Sequence, residues 1–148
     1  MGNIKTEPIK KVTTYDLKGA ENGFLVEMFK SKDGIKTEAY LSAALPGAFK
    51  GYHEHKVRAA RYVCLKGKMK IITYHREGDK WRREENILDA NDPQPMRMYI
   101  PNNTPTGLEN IGDEEGWLVN YPDPAYDPSL KGEQVDYTQE ELEQGIVK

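Results

Sequence analysis

Residues 46–67 read PGAFKGYHEHKVRAARYVCLKG, and this stretch decides how the rest of the chain is interpreted. It opens on a Pro-Gly turn, places His53 and His55 two positions apart, and continues into the apolar run Tyr62–Leu65. Successive side chains of a β-strand point to opposite faces, so the two histidines share one face and Glu54 lies on the other. Because the chain has only three histidines, this pairing is its most informative feature.

Composition and charge exclude several classes of protein. The formal net charge is −3, from 21 basic and 24 acidic residues that are interspersed, so no basic patch is present for a nucleic-acid partner. The apolar runs are too short for a transmembrane helix, and the N-terminal sequence lacks the apolar segment of a signal peptide. The single cysteine, Cys64, is expected in the core and favours a reducing compartment. We therefore expect a cytoplasmic protein with neither a nucleic-acid nor a membrane partner.

Short strand-like segments alternate with turns along the rest of the chain. The clearest alternation covers Ile35–Leu45, and the segments 68–76 and 80–88 flank a Glu-Gly-Asp turn that predicts a hairpin. Further strands are expected at 8–15, 23–30, 96–101, 104–111 and 116–121. Many short strands separated by Gly and Pro turns indicate an all-β sandwich or barrel.

The tail changes character after Tyr121. The segment PDPAYDPSLKG contains three prolines and cannot continue a central strand. Thr138 and Glu141 fit a capping box, and Gly145 follows as a stop, which predicts a short helix. We therefore predict a single domain over residues 1–148, with a barrel at about 8–121 and a proline-rich tail with a short helix at 122–148.

The spacing of residues 47–67 resembles the first motif of the cupin superfamily. That motif is a glycine, five residues, His-x-His, four residues, one variable position, six residues and a second glycine. Here these positions are Gly47, His53, His55, Ala60 and Gly67. A degraded form of the second cupin motif appears at Pro101, Asn103, Thr106 and Asn110. The resemblance implies a cupin jelly-roll β-barrel, built from two sheets and lined by both motifs.

The resemblance also bears on metal binding. Metal-binding cupins take two histidines and a glutamate from the first motif and a histidine from the second, but Ala60 and Thr106 stand at two of those positions. Two imidazoles alone make a poor site, because catalytic zinc has three protein ligands and non-haem iron uses two histidines and a carboxylate. We expect no metal and no cofactor, which leaves the histidines as structural or acid–base groups.

A narrower similarity favours acid–base chemistry. The segment from Lys50 to Gly67 resembles the metal-free sugar-nucleotide cupins, the 3,4-ketoisomerases and 3,5-epimerases of thymidine-diphosphate 4-keto-6-deoxy sugars. The ketoisomerases carry Arg-Gly-x-His-x-His-Lys and Val-Cys-Leu-x-Gly, and the epimerases share the Arg-Gly-x-His core. The resemblance implies a nucleotide-sugar substrate and a catalytic base at His53, with His55 beside it. It also matches the ketoisomerase tyrosine to Tyr40.

The residues present suit removal of a proton next to a ketone. A neutral imidazole takes such a proton if the enolate oxygen receives a hydrogen bond, and histidine titrates near neutrality. Tyr40 is one candidate for the acid, and Tyr62 is another because it shares the strand parity of Ala60. Basic side chains of the same segment are expected to hold the diphosphate. The expected substrate-binding residues are Lys50, Arg58, Thr106 and Tyr121.

Two departures from the epimerase pattern leave other functions open. Pro105-Thr106-Gly107 stands where the epimerases have Ala-His-Gly, and their catalytic tyrosine registers on Asn120, one residue before Tyr121. The carboxylate that supports the epimerase base has no aligned counterpart. The alternatives are a non-catalytic cupin that binds a sugar or a small acid and, ranked below it, a metal-dependent cupin enzyme.

The resemblance further predicts a homodimer, because sugar-nucleotide cupins usually pair through N-terminal strands. Residues 8–15 are expected to form an edge strand suited to sheet extension. Light scattering should therefore give roughly twice the 16.9 kDa mass of one chain. A mass near 16.9 kDa at micromolar concentration would contradict this prediction.

Overall fold

A computed structural model of the chain describes residues 11–30, 38–94 and 96–148. The strands are β1 (Lys11–Tyr15), β2 (Glu21–Lys30), β3 (Glu38–Ala44), β4 (Phe49–His55), β5 (Ala60–Lys66), β6 (Lys68–Glu77), β7 (Lys80–Asp89), β8 (Arg97–Ile100), β9 (Thr106–Asn110), β10 (Gly116–Asn120) and β11 (Gln134–Asp136). One short helix, α1, spans Gln139–Glu143. The predicted strands 8–15 and Ile35–Leu45 begin outside the described residues and continue within them as β1 and β3. No helix in these segments is long and apolar enough to cross a membrane.

The strands form two antiparallel sheets that face each other. Sheet A has the order β1-β2-β3-β10-β5-β8, and sheet B has the order β11-β4-β9-β6-β7. The predicted hairpin is confirmed, because β6 pairs with β7 from Lys68↔Asp89 to Glu77↔Lys80. The predicted fold class, an all-β jelly roll with a short C-terminal helix, is also confirmed.

The hydrophobic core lies between the two sheets. Met69 and Ile71 are two positions apart on β6, so both point inward, and neither has any exposed surface. The full inner cluster is Ala44, Met69, Ile71, Leu88, Ile100, Leu108 and Leu118. Leu108 and Leu118 also border a cavity between the sheets. The core therefore forms one boundary of that cavity.

A second cluster covers the outer face of sheet B. Ile72 follows Ile71 on β6 and so points the other way, where it packs with Tyr52, Tyr74 and Leu142 of α1. The capping box of α1 is confirmed: the Glu141 amide donates to Thr138 Oγ1, and the Thr138 amide donates to Glu141 Oε1, both at 3.1 Å. Burial of Leu142 fixes the helix on the sheet.

The tail contains a strand that the sequence analysis missed. Residues 134–136 form β11, which pairs with the edge of β4 that faces away from β9, in the register Gln134↔His55 and Asp136↔His53. Three residues are too few to show a recognisable alternation. They form a strand because β4 offers backbone groups on that side for pairing. The proline-rich description of the tail therefore holds only before β11.

A bulge in β4 sets the direction of its side chains. The pairing with β9 runs Lys50↔Leu108 and then His53↔Thr106, which leaves one extra residue in β4. Gly51 lies in this bulge with φ 129°, and a Cβ atom there would be 2.7 Å from the Thr106 carbonyl oxygen. Only glycine permits this close approach. Lys50 and His53 therefore line the same cavity although they are three positions apart.

The inner cluster should dominate the stability of the fold. Ile71→Ala removes a fully buried side chain and should lower the free energy of unfolding by about 2–5 kcal/mol. Ile87→Ala on the neighbouring strand β7, where the side chain is 54% exposed, serves as the control and should change it by less than about 0.5 kcal/mol. Urea titration measures both. Equal losses in the two variants would show that the core has been placed wrongly.

Candidate active site

A cavity of about 1320 Å³ is lined by residues of both sheets and extends to the outer face of sheet B at Tyr52 and Ile72. The lining residues of sheet A include Tyr40, Ser42, Tyr62 and Asn120. Those of sheet B include Lys50, His53, His55 and Thr106, and Arg58 enters from the β4–β5 loop. Seven of the eight site residues predicted from the sequence therefore lie at one cavity.

His53 is paired with a carboxylate from the tail. Its Nδ1 lies 2.6 Å from Asp136 Oδ1, because β11 places Asp136 opposite His53 in the sheet. A carboxylate only accepts hydrogen bonds, so Nδ1 carries the proton and Nε2 keeps a lone pair. Partial burial acts to raise the pKa of Asp136, but hydrogen bonds from His53 and Gln134 outweigh it and lower that pKa. The geometry is that of an imidazole base supported by an ionised carboxylate.

His55 has different partners. Arg58 Nη2 lies 3.0 Å from His55 Nδ1, and Glu133 Oε2 lies 3.1 Å from the same atom. Glu133 already accepts hydrogen bonds from the Arg58 amide, Nε and Nη2 at 3.1–3.3 Å. A guanidinium only donates and a carboxylate only accepts, so these two contacts favour opposite tautomers of His55 and do not fix which nitrogen carries its proton. Burial and the charge of Arg58 lower the pKa of His55, so its imidazole is neutral at neutral pH.

Arg58 borders the cavity but is mostly buried and is held by contacts within the protein. It is 8% exposed and Glu133 is 7% exposed, and their contacts form a buried ion pair. Its guanidinium also lies 5.2 Å from the centre of the Tyr126 ring. Nε and Nη2 of Arg58 are thus already engaged within the protein, and the diphosphate contact expected of Arg58 stays a prediction.

Two tyrosines flank Asn120 on the cavity face of sheet A. In the strand register, Asn120 of β10 pairs with Tyr40 of β3 on one side and Tyr62 of β5 on the other. Asn120 Nδ2 donates to the Tyr40 hydroxyl at 2.8 Å. Burial raises the pKa of Tyr40 and, together with the neighbouring Tyr40, that of Tyr62. Both phenols are consequently protonated at neutral pH.

Lys50 presents an ammonium group to the cavity. Its Nζ donates to Ser42 Oγ at 3.1 Å and to the Phe24 carbonyl at 3.4 Å. Within the described segments no carboxylate lies within 4.0 Å of it, and burial lowers its pKa to about 8. An uncompensated ammonium in a cavity wall is suited to an anionic ligand.

Two predicted substrate-binding residues remain, and only one of them lines the cavity. Thr106 lines the cavity, and its hydroxyl donates to the Thr104 carbonyl at 2.9 Å. Tyr121 does not line the cavity and is 43% exposed, because alternation along β10 turns the residue after Asn120 away. The structure thus places Tyr121 outside the cavity lining, and the substrate contact expected of it stays a prediction.

Sequence reasoning missed Asp136, Glu133 and the role of Asn120. The available signal was the alternation in Glu-Gln-Val-Asp-Tyr at 133–137, which places Gln134 and Asp136 on one face. Among the residues that the structure covers, no group of three or more His, Cys, Asp or Glu side chains is arranged to hold a metal ion. Asp136 instead contacts His53, and Glu133 contacts His55.

Comparison with known proteins identifies relatives in polysaccharide assembly. No protein-family model matches the chain. It is 30% identical over 113 residues to the "Probable low-salt glycan biosynthesis epimerase Agl13" of Haloferax volcanii, which covers 72% of each protein. It is 21% identical over 117 residues to the spore coat polysaccharide biosynthesis protein SpsL of Bacillus subtilis, covering 76% of this chain and 78% of that one.

Solved structures share the fold. The capsular polysaccharide assembling protein CapF of Staphylococcus aureus superposes with a TM-score of 0.67 at 18% identity, over 88% of this chain and 32% of that one. The oxalate decarboxylase of Bacillus subtilis superposes with a TM-score of 0.61 at 13% identity, over 90% of this chain and 33% of that one. The chain thus spans about a third of the length of these proteins, and the likeness establishes the cupin jelly roll.

The Glu133–Arg58 pair should control acid stability. Glu133→Gln leaves the Arg58 charge buried without its partner and should cost about 3–5 kcal/mol at neutral pH. Burial acts to raise the pKa of Glu133, but hydrogen bonds from Arg58 and His55 leave it lowered in the folded protein. The stabilisation that ionised Glu133 gives the folded protein is therefore complete above the unfolded-state pKa of about 4.3. It is lost as the pH falls through the pKa of Glu133 in the folded protein.

Urea unfolding between about pH 7 and pH 3 tests this effect. Between neutral and acidic pH, the free energy of unfolding of Glu133→Gln should fall less than that of the wild type. Glu114→Gln, at an exposed position outside the site, is the control. Parallel pH curves for the wild type and Glu133→Gln would exclude Glu133 as a source of the acid dependence.

Proposed function

We propose that this chain, which belongs to the cupin family of sugar epimerases that includes the Haloferax protein, inverts a carbon next to the ketone of a nucleotide-linked 4-keto-6-deoxy sugar. The observation that carries the proposal is the 2.6 Å contact between His53 and Asp136 at a cavity whose opposite wall presents Tyr40. The cavity therefore has a histidine base, hydrogen-bonded to a carboxylate, on one side and a protonated phenol on the other. Epimerisation requires a proton to leave one face of a carbon and another to arrive on the other face.

In the first step the base is His53. Its Nε2 lone pair takes the proton from the carbon next to the ketone, and the C–H electron pair moves into the enolate. Asp136 stabilises the imidazolium that forms and holds its tautomer, as the aspartate does in a Ser-His-Asp triad. The enolate oxygen requires a hydrogen-bond donor. His55 lies on the same face of β4 and supplies that donor in the tautomer with the proton on Nε2, in which Nδ1 accepts from Arg58.

In the second step the acid is Tyr40. Its O–H bond breaks, the proton joins the carbon from the side opposite His53, and a phenolate remains. Solvent then removes the extra proton from His53, which is 41% exposed, and a proton returns to the phenolate. The net reaction inverts one stereocentre, and all protons balance. Such a reaction consumes no cofactor.

Substrate binding is assigned to the ammonium of Lys50. It lies in the cavity wall without a carboxylate partner among the described residues, so the diphosphate of a nucleotide sugar provides the missing negative charge. The phosphate would also raise the pKa of Lys50 above 8 and keep it charged. The dimer and the cytoplasmic location expected from the sequence stay predictions beside this proposal.

His53→Asn tests the base. The amide keeps a polar tip of similar size but has no titratable nitrogen, so solvent-deuterium exchange into a 4-keto-6-deoxy sugar nucleotide should fall by about two to four orders of magnitude. Binding of thymidine diphosphate, measured by calorimetry, should change little. His75→Asn, on β6 next to the exposed end of the hairpin, is the matched control and should retain exchange.

Two outcomes would reject parts of the proposal. If wild type exchanges no deuterium into any such substrate, the epimerase assignment fails and a non-catalytic sugar-binding cupin becomes the better description. If exchange survives in His53→Asn, a different group is the base.

A further inference from the structure

We propose that Asn120 is the positioning residue that makes Tyr40, rather than Tyr62, the proton donor. The inference rests on the proposed function, since it concerns the second half of the epimerisation. It assigns a role to a buried amide that the sequence analysis treated only as a departure from the epimerase pattern.

The side-chain amide of Asn120 has one orientation available. The backbone N–H of Arg61 donates to Asn120 Oδ1 at 3.1 Å, and a backbone N–H is always a donor. The oxygen therefore faces β5 and the NH₂ group faces β3. Asn120 is 6% exposed, so water does not compete for these contacts. The amide must donate towards Tyr40.

The orientation of the amide determines that of the phenol. Asn120 Nδ2 donates to the Tyr40 oxygen at 2.8 Å. With this donor directed at it, the oxygen accepts, and its own proton points away from the amide. Tyr40 lines the cavity, so that proton is available to a substrate there.

Tyr62 lacks this arrangement. It is the other cross-strand neighbour of Asn120, yet among the described residues its hydroxyl makes no side-chain hydrogen bond. A phenol that gives up its proton must be stabilised as a phenolate. At Tyr40 the amide N–H supplies that stabilisation without rearrangement. The Arg58 charge acts on both phenols and burial opposes the ionisation of both, so the Asn120 hydrogen bond is what distinguishes Tyr40 from Tyr62.

The test is Asn120→Asp, which keeps the shape of the side chain. One carboxylate oxygen still accepts from Arg61, but the other accepts where the amide donated, and it turns the Tyr40 proton away from the cavity. We expect inversion of the substrate carbon to fall about 100-fold. Deuterium exchange with retention, which needs only His53, should stay within about threefold, and KM should be little changed.

Two further variants serve as a positive and a negative control for this test. Tyr40→Phe should reproduce the loss of inversion with retained exchange, because it removes the same proton and keeps the ring. Asn91→Asp, at an exposed position in the β7–β8 turn, makes the same chemical change away from the cavity and should leave both rates unchanged. Parallel loss of exchange and inversion in Asn120→Asp, with the fold intact by circular dichroism, would overturn the proposal, since a merely structural residue affects both steps.

A measurement without substrate separates this inference from the proposed function. Protein labelled with ¹³C at tyrosine Cζ should show a Tyr40 resonance, assigned with Tyr40→Phe, that titrates at higher pH in Asn120→Asp, while Tyr62 shifts less. Equal displacement of both resonances would overturn the selective role of Asn120. If wild type neither exchanges nor inverts any substrate, the proposed function fails, and the titration still decides whether Asn120 controls Tyr40.

Discussion

The pairing of β11 with β4 is the interaction on which the site depends. Three residue pairs place Asp136 opposite His53, and the backbone bonds between Tyr52 and Tyr137 at 3.0 and 3.3 Å extend the ladder. Side chains alternate along a strand, so a slip of one residue would turn Asp136 to the outer face and leave His53 without its carboxylate. The cluster on that outer face, which includes Leu142 of α1, opposes such a slip because it fixes the tail.

Two histidines of one strand thus acquire different properties from their neighbours. His53 meets the Asp136 carboxylate, whereas His55 lies between the Arg58 guanidinium and the Glu133 carboxylate. The same residue type is therefore proposed as a base at one position and as a hydrogen-bond donor to the enolate at the other. Environment rather than residue type separates the roles, as it does for paired carboxylates in other active sites.

Much of this architecture could be predicted from local sequence, and the missing parts share a physical cause. The hairpin, the capping box of Thr138 and the shared face of His53 and His55 depend on residues close together in the chain. The carboxylate partners are 78 and 83 residues away from their histidines, and no local pattern encodes such distances. The position of Lys50 at the cavity could not be derived from local pattern, since simple alternation without the bulge would have put it opposite His53.

The position of the carboxylates in the chain has a consequence for synthesis. A ribosome releases the N-terminal part of a protein first, so strands β1 to β10, which form most of both sheets, emerge before residues 133–136. A nascent chain at that stage presents the histidines, the tyrosines and Lys50 but neither carboxylate. The pairing of each imidazole with its carboxylate is completed only when residues 133–136 are translated, after the strands that form the lumen.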